Sequence, residues 1–459
     1  MEPVAALLAR LTVLNQARAE CAQELEALVS DATLPAHATS SAWTIGGGIA
    51  AVVQLCHDPA TAAAAAAVLR HLSYADDAND DPIREAGAIP PLVALLRGGP
   101  ESEAATNAAT ALNNLSNNDA NDEATRVAIT NAGVIPSLVA MMSGGPKSKA
   151  AERAALLLKN LACDEGVHAA MTEAGAIPLL VALLSGEPEM AVDAAWMLTT
   201  LACKTVATRA AIVEAGAISP LVALLSRGPE TEAALRATGA LIILAIEDDA
   251  ISTAITDAGA VPPLVALLNR GPESAVARNA AVALTMLARN TEGGTAITEA
   301  GATSLLVALL SGGPESQAAE WAAKALNNLA DTGEGETAIT EAGAIPPLVA
   351  LLNGGPGARA AKEAAEVLSN LARGANPTAV LEEVARTQAS CSPWSDLQVR
   401  LHECASALLK AAEEGTDVAA LERAITLATA GQVDAAVIEH AQKRLREING
   451  DAERQERRE

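Results

Sequence analysis

Apolar positions along this chain recur at helical spacing, not in strand-like alternation. In ARAAKEAAEVLSNLA, residues 358–372, they fall at Ala361, Ala364, Ala365, Leu368 and Leu371, leaving the polar residues for one outer face. The preceding stretch, PPLVALLN (346–353), is almost wholly apolar, the pattern of a helix buried between layers. Before it comes GETAITEA (335–342), a short amphipathic stretch that stops at Gly343. Glycine suits the left-handed residue just past a helix end because it has no Cβ to clash. Pro346 and Pro347 then fall in a first helical turn, where an N–H is unpaired anyway. Gly354, Gly355 and Pro356 break the second helix and restart the chain. The spacing therefore predicts a short helix, a buried helix and a longer amphipathic helix in succession.

That three-helix pattern repeats. The string EAGAIPPLVALLRGGPESEAA begins at Glu85, and near-copies begin at Asn131, Glu173, Glu214, Asp257, Glu299 and Glu341. The shared glycines are Gly87, Gly133, Gly175, Gly216, Gly259, Gly301 and Gly343, at spacings of 41 to 46 residues. A degenerate earlier copy contains Gly47, so eight repeats are expected over residues 42–374. Glu101, Glu230 and Glu315 follow the turn prolines, where a carboxylate complements a helix N-terminus.

A stacked array needs its ends covered. Residues 1–41 are expected to supply a capping helix over 3–30, with Leu7, Leu8, Leu11, Leu14 and Cys21 on one stripe. Trp43 reads as a packing residue at the array's entry. Residues 375–448 form a C-terminal block of four expected helices, 377–389, 395–413, 416–430 and 433–448, with Trp394 as its anchor to the last repeat. The charged tail 449–459 is expected to be disordered.

Composition agrees with thin helical layers. Half of the 459 residues are hydrophobic, yet Phe is absent, Tyr74 is the single tyrosine, and alanine makes up about a quarter of the chain. A net charge of −25 argues against nucleic acid and anionic membranes, which call for a basic footprint. No apolar run is long enough to span a bilayer, and the first residues lack the basic start and apolar stretch of a signal peptide. Glu2 stands where N-myristoylation needs glycine, and the C-terminus carries no prenylation box. None of the six cysteines forms a C-x-x-C pair, so neither a disulfide framework nor a metal site is expected. Cys163 and Cys203 share the context LAC and are expected to be small buried residues.

The repeat, with EAGAIPPLVALL and a third helix ending ALNNLS (Ala111 to Ser116), resembles the armadillo repeat. The resemblance covers residues 42–374 and implies an all-α fold: a right-handed α-solenoid superhelix of armadillo repeats with helical caps. It also implies that the third helices line a concave groove that binds extended peptides. In peptide-binding members an asparagine near the end of each third helix clamps the peptide backbone. The matching positions here are His71, Asn114, Asn160, Thr200, Ile243, Met286, Asn328 and Asn370. One turn earlier, where nuclear-import adaptors carry tryptophan, only Trp196 of this chain matches; Gly239, Val282 and Lys324 are among the others. Further up lie Asn107, Arg153, Asp193, Arg236, Asn279, Trp321 and Glu363, a row of mixed sign. The candidate groove residues are Asn114, Asn160, Trp196, Thr200, Arg236, Ile243, Met286, Trp321, Asn328 and Asn370. Two roles stay open for the asparagines: clamping a peptide, or bonding a neighbouring carbonyl to hold the stack together.

No catalytic constellation stands out. The six histidines follow no ligand spacing, and the GGP and GGG runs are turns, not phosphate loops. The expectation is a non-catalytic protein-interaction scaffold without cofactor or metal. It would bind an extended peptide or amphipathic helix in the cytoplasm, with the nucleus as the other compartment. The family's other roles are a nuclear-transport cargo adaptor and a substrate-recruiting subunit of a ubiquitin ligase. Residues 1–42 hold only Arg10 and Arg18, so the basic segment of the import adaptors is missing, and no U-box fits either flank. The vacuolar armadillo scaffolds have similar EAGAIPxLVxLL runs but carry a myristoyl anchor, for which Glu2 is unsuited.

Overall fold

The computed structural model describes residues 48–75, 79–117, 122–228, 231–374, 377–387, 394–414 and 417–456. The expected capping helix over 3–30 and Trp43 lie outside these residues. Among the described residues every regular element is an α-helix or a short 3₁₀ turn, and none is a strand. The chain divides into two compact units, Met1–Leu221 and Val222–Glu459.

In the first unit the helices recur in threes. The second repeat runs Asp80–Glu85, Ile89–Leu95 and Glu103–Leu115, and the third Asp122–Asn131, Ile135–Met142 and Lys149–Leu161. The fourth runs Glu165–Glu173, Ala176–Leu183 and Pro188–Ala202. The first repeat is described from its second helix, Gly48–Leu55, with the third at Ala62–Ala75. In the second unit the complete triplets are Asp249–Asp257, Val261–Leu268 and Ala275–Leu287; Thr291–Glu299, Ala302–Leu309 and Gln317–Leu329; and Gly333–Glu341, Ile345–Leu352 and Arg359–Arg373. The fifth repeat, Val206–Glu214, Ile218–Leu225 and Glu232–Ala245, contains the division between the units.

All seven shared glycines have positive φ, between +71° and +80°. At Gly259, with φ +78°, the chain turns from Asp249–Asp257 into Val261–Leu268, and the two helices cross at 87°. The corresponding angles elsewhere are 81° and 89° in the first unit and 88° in the second. The second helix is the buried one: Ile345, Leu348, Val349, Leu351 and Leu352 are all inside.

Where a side chain caps a third helix it is a serine or threonine, whereas Glu187 and Ala358 stand at the N-cap of Pro188–Ala202 and Arg359–Arg373 without a side-chain cap bond. Ser102, Ser148, Ser274 and Ser316 each accept the backbone N–H three residues on, at 3.2 to 3.4 Å. Such a cap is worth about 1 kcal/mol. Glu101 and Glu315 stand just before these caps, outside the helices whose N-termini their charge is expected to complement. The GGP turns stack between repeats. A Cβ on Gly144 would come within 2.9 Å of the Pro100 ring, and one on Gly312 within 3.0 Å of Pro272.

The C-terminal block contains Pro377–Thr387, Ser395–Glu414, Val418–Ala430 and Ala435–Glu456. The last helix continues past residue 448 to Glu456, into the stretch expected to be disordered. Charge alone suggested a loose tail, but Ala, Glu, Gln and Arg are also good helix formers. Among the described residues no single helix is long and apolar enough to cross a membrane.

Candidate functional site

Third helices pack side by side within each unit, Glu103–Leu115 between Ala62–Ala75 and Lys149–Leu161 in the first, and Gln317–Leu329 between Ala275–Leu287 and Arg359–Arg373 in the second. Core-facing positions on them are mostly alanine and leucine. Ala318, Ala319, Ala322, Ala323, Ala325, Leu326 and Leu329 are buried on one such helix. The small side chains let neighbouring helices come close, and that proximity puts polar groups of one repeat within reach of the next.

The four asparagines use that reach in one regular way. Asn114 donates its Nδ2 to the Arg70 carbonyl at 3.3 Å and to Ser73 Oγ at 3.3 Å. Asn160 donates to Asn113 Oδ1 at 2.9 Å. In the second unit Asn328 donates to the Thr285 carbonyl at 3.0 Å, and Asn370 to Asn327 Oδ1 at 2.9 Å. Apart from Ser73, each acceptor belongs to the residue just before the equivalent position in the preceding repeat. Only an N–H can donate to a carbonyl, so the amide orientations of Asn114 and Asn328 are determined by their partners. An amide has two N–H donors and an acceptor oxygen. The stacking bonds leave Oδ1 of these half-buried residues unspent.

The other candidates divide between the units. In the first, Trp196 and Thr200 lie one turn apart on Pro188–Ala202, and Thr200 Oγ1 bonds back to the Trp196 and Met197 carbonyls at 3.0 and 2.9 Å. Thr200 thus spends its donor on its own helix. In the second, Arg236 pairs with Glu232 on its own helix at 2.7 Å. Ile243 and Met286 are half-buried, as are Gly239 and Val282, one turn before them. Trp321 carries the Lys324 ammonium 4.4 Å from its ring centroid, a cation–π contact. Lys324 also pairs with Glu320 at 2.9 Å and Glu363 at 3.7 Å. Burial pushes the Glu363 carboxyl above its usual range against the pull of Lys324. One face of Trp321 is therefore already covered by an ion cluster.

The sequence reading missed Arg70, Tyr74 and Lys149. Together with Arg153, Asn107 and Asn114, they border a recess of about 730 Å³ on the third helices of the first three repeats. Arg70 and Asn107 sit in different repeats, and only the period of the array hints that they meet. A second recess, of about 450 Å³, lies where the C-terminal block meets the last repeat, with Asn370, Lys362 and Trp394 among its walls. Trp394 is 9% exposed there.

Cys163 and Cys203 are exposed, against the expectation that they are buried. They lie in the turns just after the buried pairs Leu161-Ala162 and Leu201-Ala202, where the chain has left the packed face. Cys56 is buried, which pushes its thiol up to about 12. Among the described residues no group of three or more His, Cys, Asp or Glu side chains is arranged to hold a metal ion.

Comparison with known proteins agrees with this geometry. The Armadillo/beta-catenin-like repeat family matches residues 76–117, 248–289 and 335–373, segments that coincide with the second, sixth and eighth repeats. No curated protein matches the chain. Among solved structures, the crystal structure of an engineered protein is similar at 30% identity and a TM-score of 0.65, over 95% of this chain and 100% of that one. The glycine-hinged triplets, the stacked third helices and these matches agree that the chain carries armadillo repeats.

Proposed function

We propose that this protein is a non-catalytic interaction scaffold that holds a segment of a partner protein along its third-helix face. The observation that carries this reading is the row of half-buried asparagines. Asn160, Asn328 and Asn370 each spend one N–H on the neighbouring repeat and keep Oδ1 and a second N–H for another chain, whereas Asn114, which donates to two acceptors, keeps Oδ1. An extended peptide offers one donor and one acceptor per residue, so an amide in each of these four repeats suits its backbone without selecting its side chains. The half-buried Trp196 in the first unit, and Ile243 and Met286 in the second, would take apolar side chains of the partner. Holding the stack and binding a partner are compatible roles for the same asparagines.

Site-specific photo-crosslinking tests this. A benzoylphenylalanine at Trp196 or at Met286 should capture a partner from an extract of the native cells. The same group at Val206, an exposed first-helix residue, should not. Capture at Val206 alone would move the binding surface off the third helices.

A further inference from the structure

We infer that the recess on the first three repeats is a docking site for an acidic peptide segment, anchored by Arg70 and flanked by Lys149, Arg153 and Tyr74. The inference rests on the third-helix face being a partner-binding surface, and it adds the chemistry of the partner.

Arg70 is held in place by neutral groups. Its Nη1 donates to Asn107 Oδ1 at 2.8 Å and its Nη2 bonds His71 Nε2 at 2.9 Å. Asn107 is itself fixed, 5% exposed and donating to the Ala63 carbonyl at 3.4 Å. Burial, and then the charge of Arg70, hold the His71 imidazole below its ordinary range, which keeps it a neutral acceptor for the guanidinium. Arg70 is thus oriented without being neutralised: no carboxylate among the described residues pairs with it. A guanidinium has five N–H donors, and its planar fork matches a carboxylate.

The surroundings favour the same occupant. Lys149 and Arg153 lie on the first turns of Lys149–Leu161, and both border the recess. Arg153 has only a 3.6 Å contact with its exposed neighbour Glu152. The two carboxylates at the rim, Glu101 and Glu103, are exposed and stand at the N-terminus of Glu103–Leu115, where their charge complements the helix dipole. Three cations around one recess in a chain of net charge −25 make a local exception to the acidic surface. At physiological salt the distant acids are screened beyond about 8 Å, so the near cations decide. Tyr74 is 83% exposed and offers an aromatic face beside them. Asn114 Oδ1 supplies an acceptor for the peptide backbone. A basic segment would meet like charge at the same place.

A phage-displayed library of random dodecapeptides, selected against the full chain, tests the inference. Enriched peptides should carry net negative charge, and Arg70→Gln should weaken them at least tenfold. The exposed pair Lys149→Gln with Arg153→Gln should weaken them several-fold and flatten the salt dependence, with unchanged melting of the protein as the folding control. The inference is overturned if enriched peptides show no acidic bias, or if acidic peptides bind all these variants as tightly as the parent. Neutral or apolar peptides that respond to Trp196→Ala would overturn it while leaving the scaffold reading in place. A selection with no enrichment over a protein-free surface would overturn both.

Discussion

The side-chain amide of Asn328 donates to the main-chain carbonyl of Thr285, one repeat back, at 3.0 Å. Thr285 is in the last turn of Ala275–Leu287, where carbonyls have run out of intrahelical donors. The same threonine returns a contact in the opposite direction: its Oγ1–H is shared between the Ala281 carbonyl of its own helix at 2.7 Å and the Trp321 carbonyl at 3.1 Å. Two third helices are thus stitched by a reciprocal pair, and a helix end is capped from the next repeat.

Asn328→Ala should therefore cost about 1 kcal/mol of stability, the usual net worth of a hydrogen bond. Asn328→Asp should cost more, because a carboxylate would face the Thr285 carbonyl with no proton to share. Urea midpoints of the two variants check this. Equal tolerance of both substitutions would detach the asparagine from the stack.

Gly259 makes a separate case. A Cβ added there meets nothing within 4 Å, so the penalty for a side chain is purely that of the backbone at φ +78°. Gly259→Val should cost at least about 1–2 kcal/mol and Gly259→Asn clearly less, since asparagine visits the left-handed region more readily. The order of their melting temperatures is the measurement, and a reversed order would contradict the turn.

Cysteine reactivity should be sharply ranked. Cys163 and Cys203 are exposed, whereas Cys56 is 4% exposed and its thiol is pushed up to about 12. The thiolate is the reactive form. Alkylation with iodoacetamide at pH 8, read peptide by peptide, should modify Cys163 and Cys203 first and Cys56 only on addition of denaturant. Comparable rates at Cys56 would show that the first repeat opens readily.

The ion cluster that joins the seventh and eighth repeats gives a pH signature. Burial raises the folded-state pKa of Glu363, so the folded chain keeps that proton to higher pH than the unfolded one. The stability cost is absent below the ordinary carboxylate range and grows as pH rises through it. Glu363→Gln should raise the melting temperature at pH 7, and the gain should vanish on acidification below about pH 4. A gain that persists at low pH would trace to packing instead.

Much of the fold is legible in the chain because its signals are local. Gly259 and its counterparts, the paired prolines and the wholly apolar second helix each act within a few residues, and each appears where the spacing places it. What escaped depends on distance or on phase. The acceptors of Asn160 and Asn370 lie a whole repeat away, so their identity depends on how neighbouring third helices register. The recess around Arg70 needs three helices at once. Cys163 and Cys203 share an apolar context yet stand just past the last packed turn. Ser102 and Ser316 follow the glutamates that drew attention first, although serine three residues before a backbone N–H is the stronger start signal.

The mixture of main-chain and side-chain acceptors bears on how such an array can grow. Asn114 and Asn328 reach carbonyl oxygens, which any predecessor of the same geometry presents whatever its side chains. Asn160 and Asn370 reach side chains, available only because the repeat in front carries Asn113 or Asn327. The second and seventh repeats therefore have universal couplings, and the third and eighth have keyed ones. A tandem duplication of the third repeat would set the copied asparagine against Lys159, a residue with no side-chain acceptor, and the new joint would lack its bond. Duplicating the seventh would need no matching change in its neighbour.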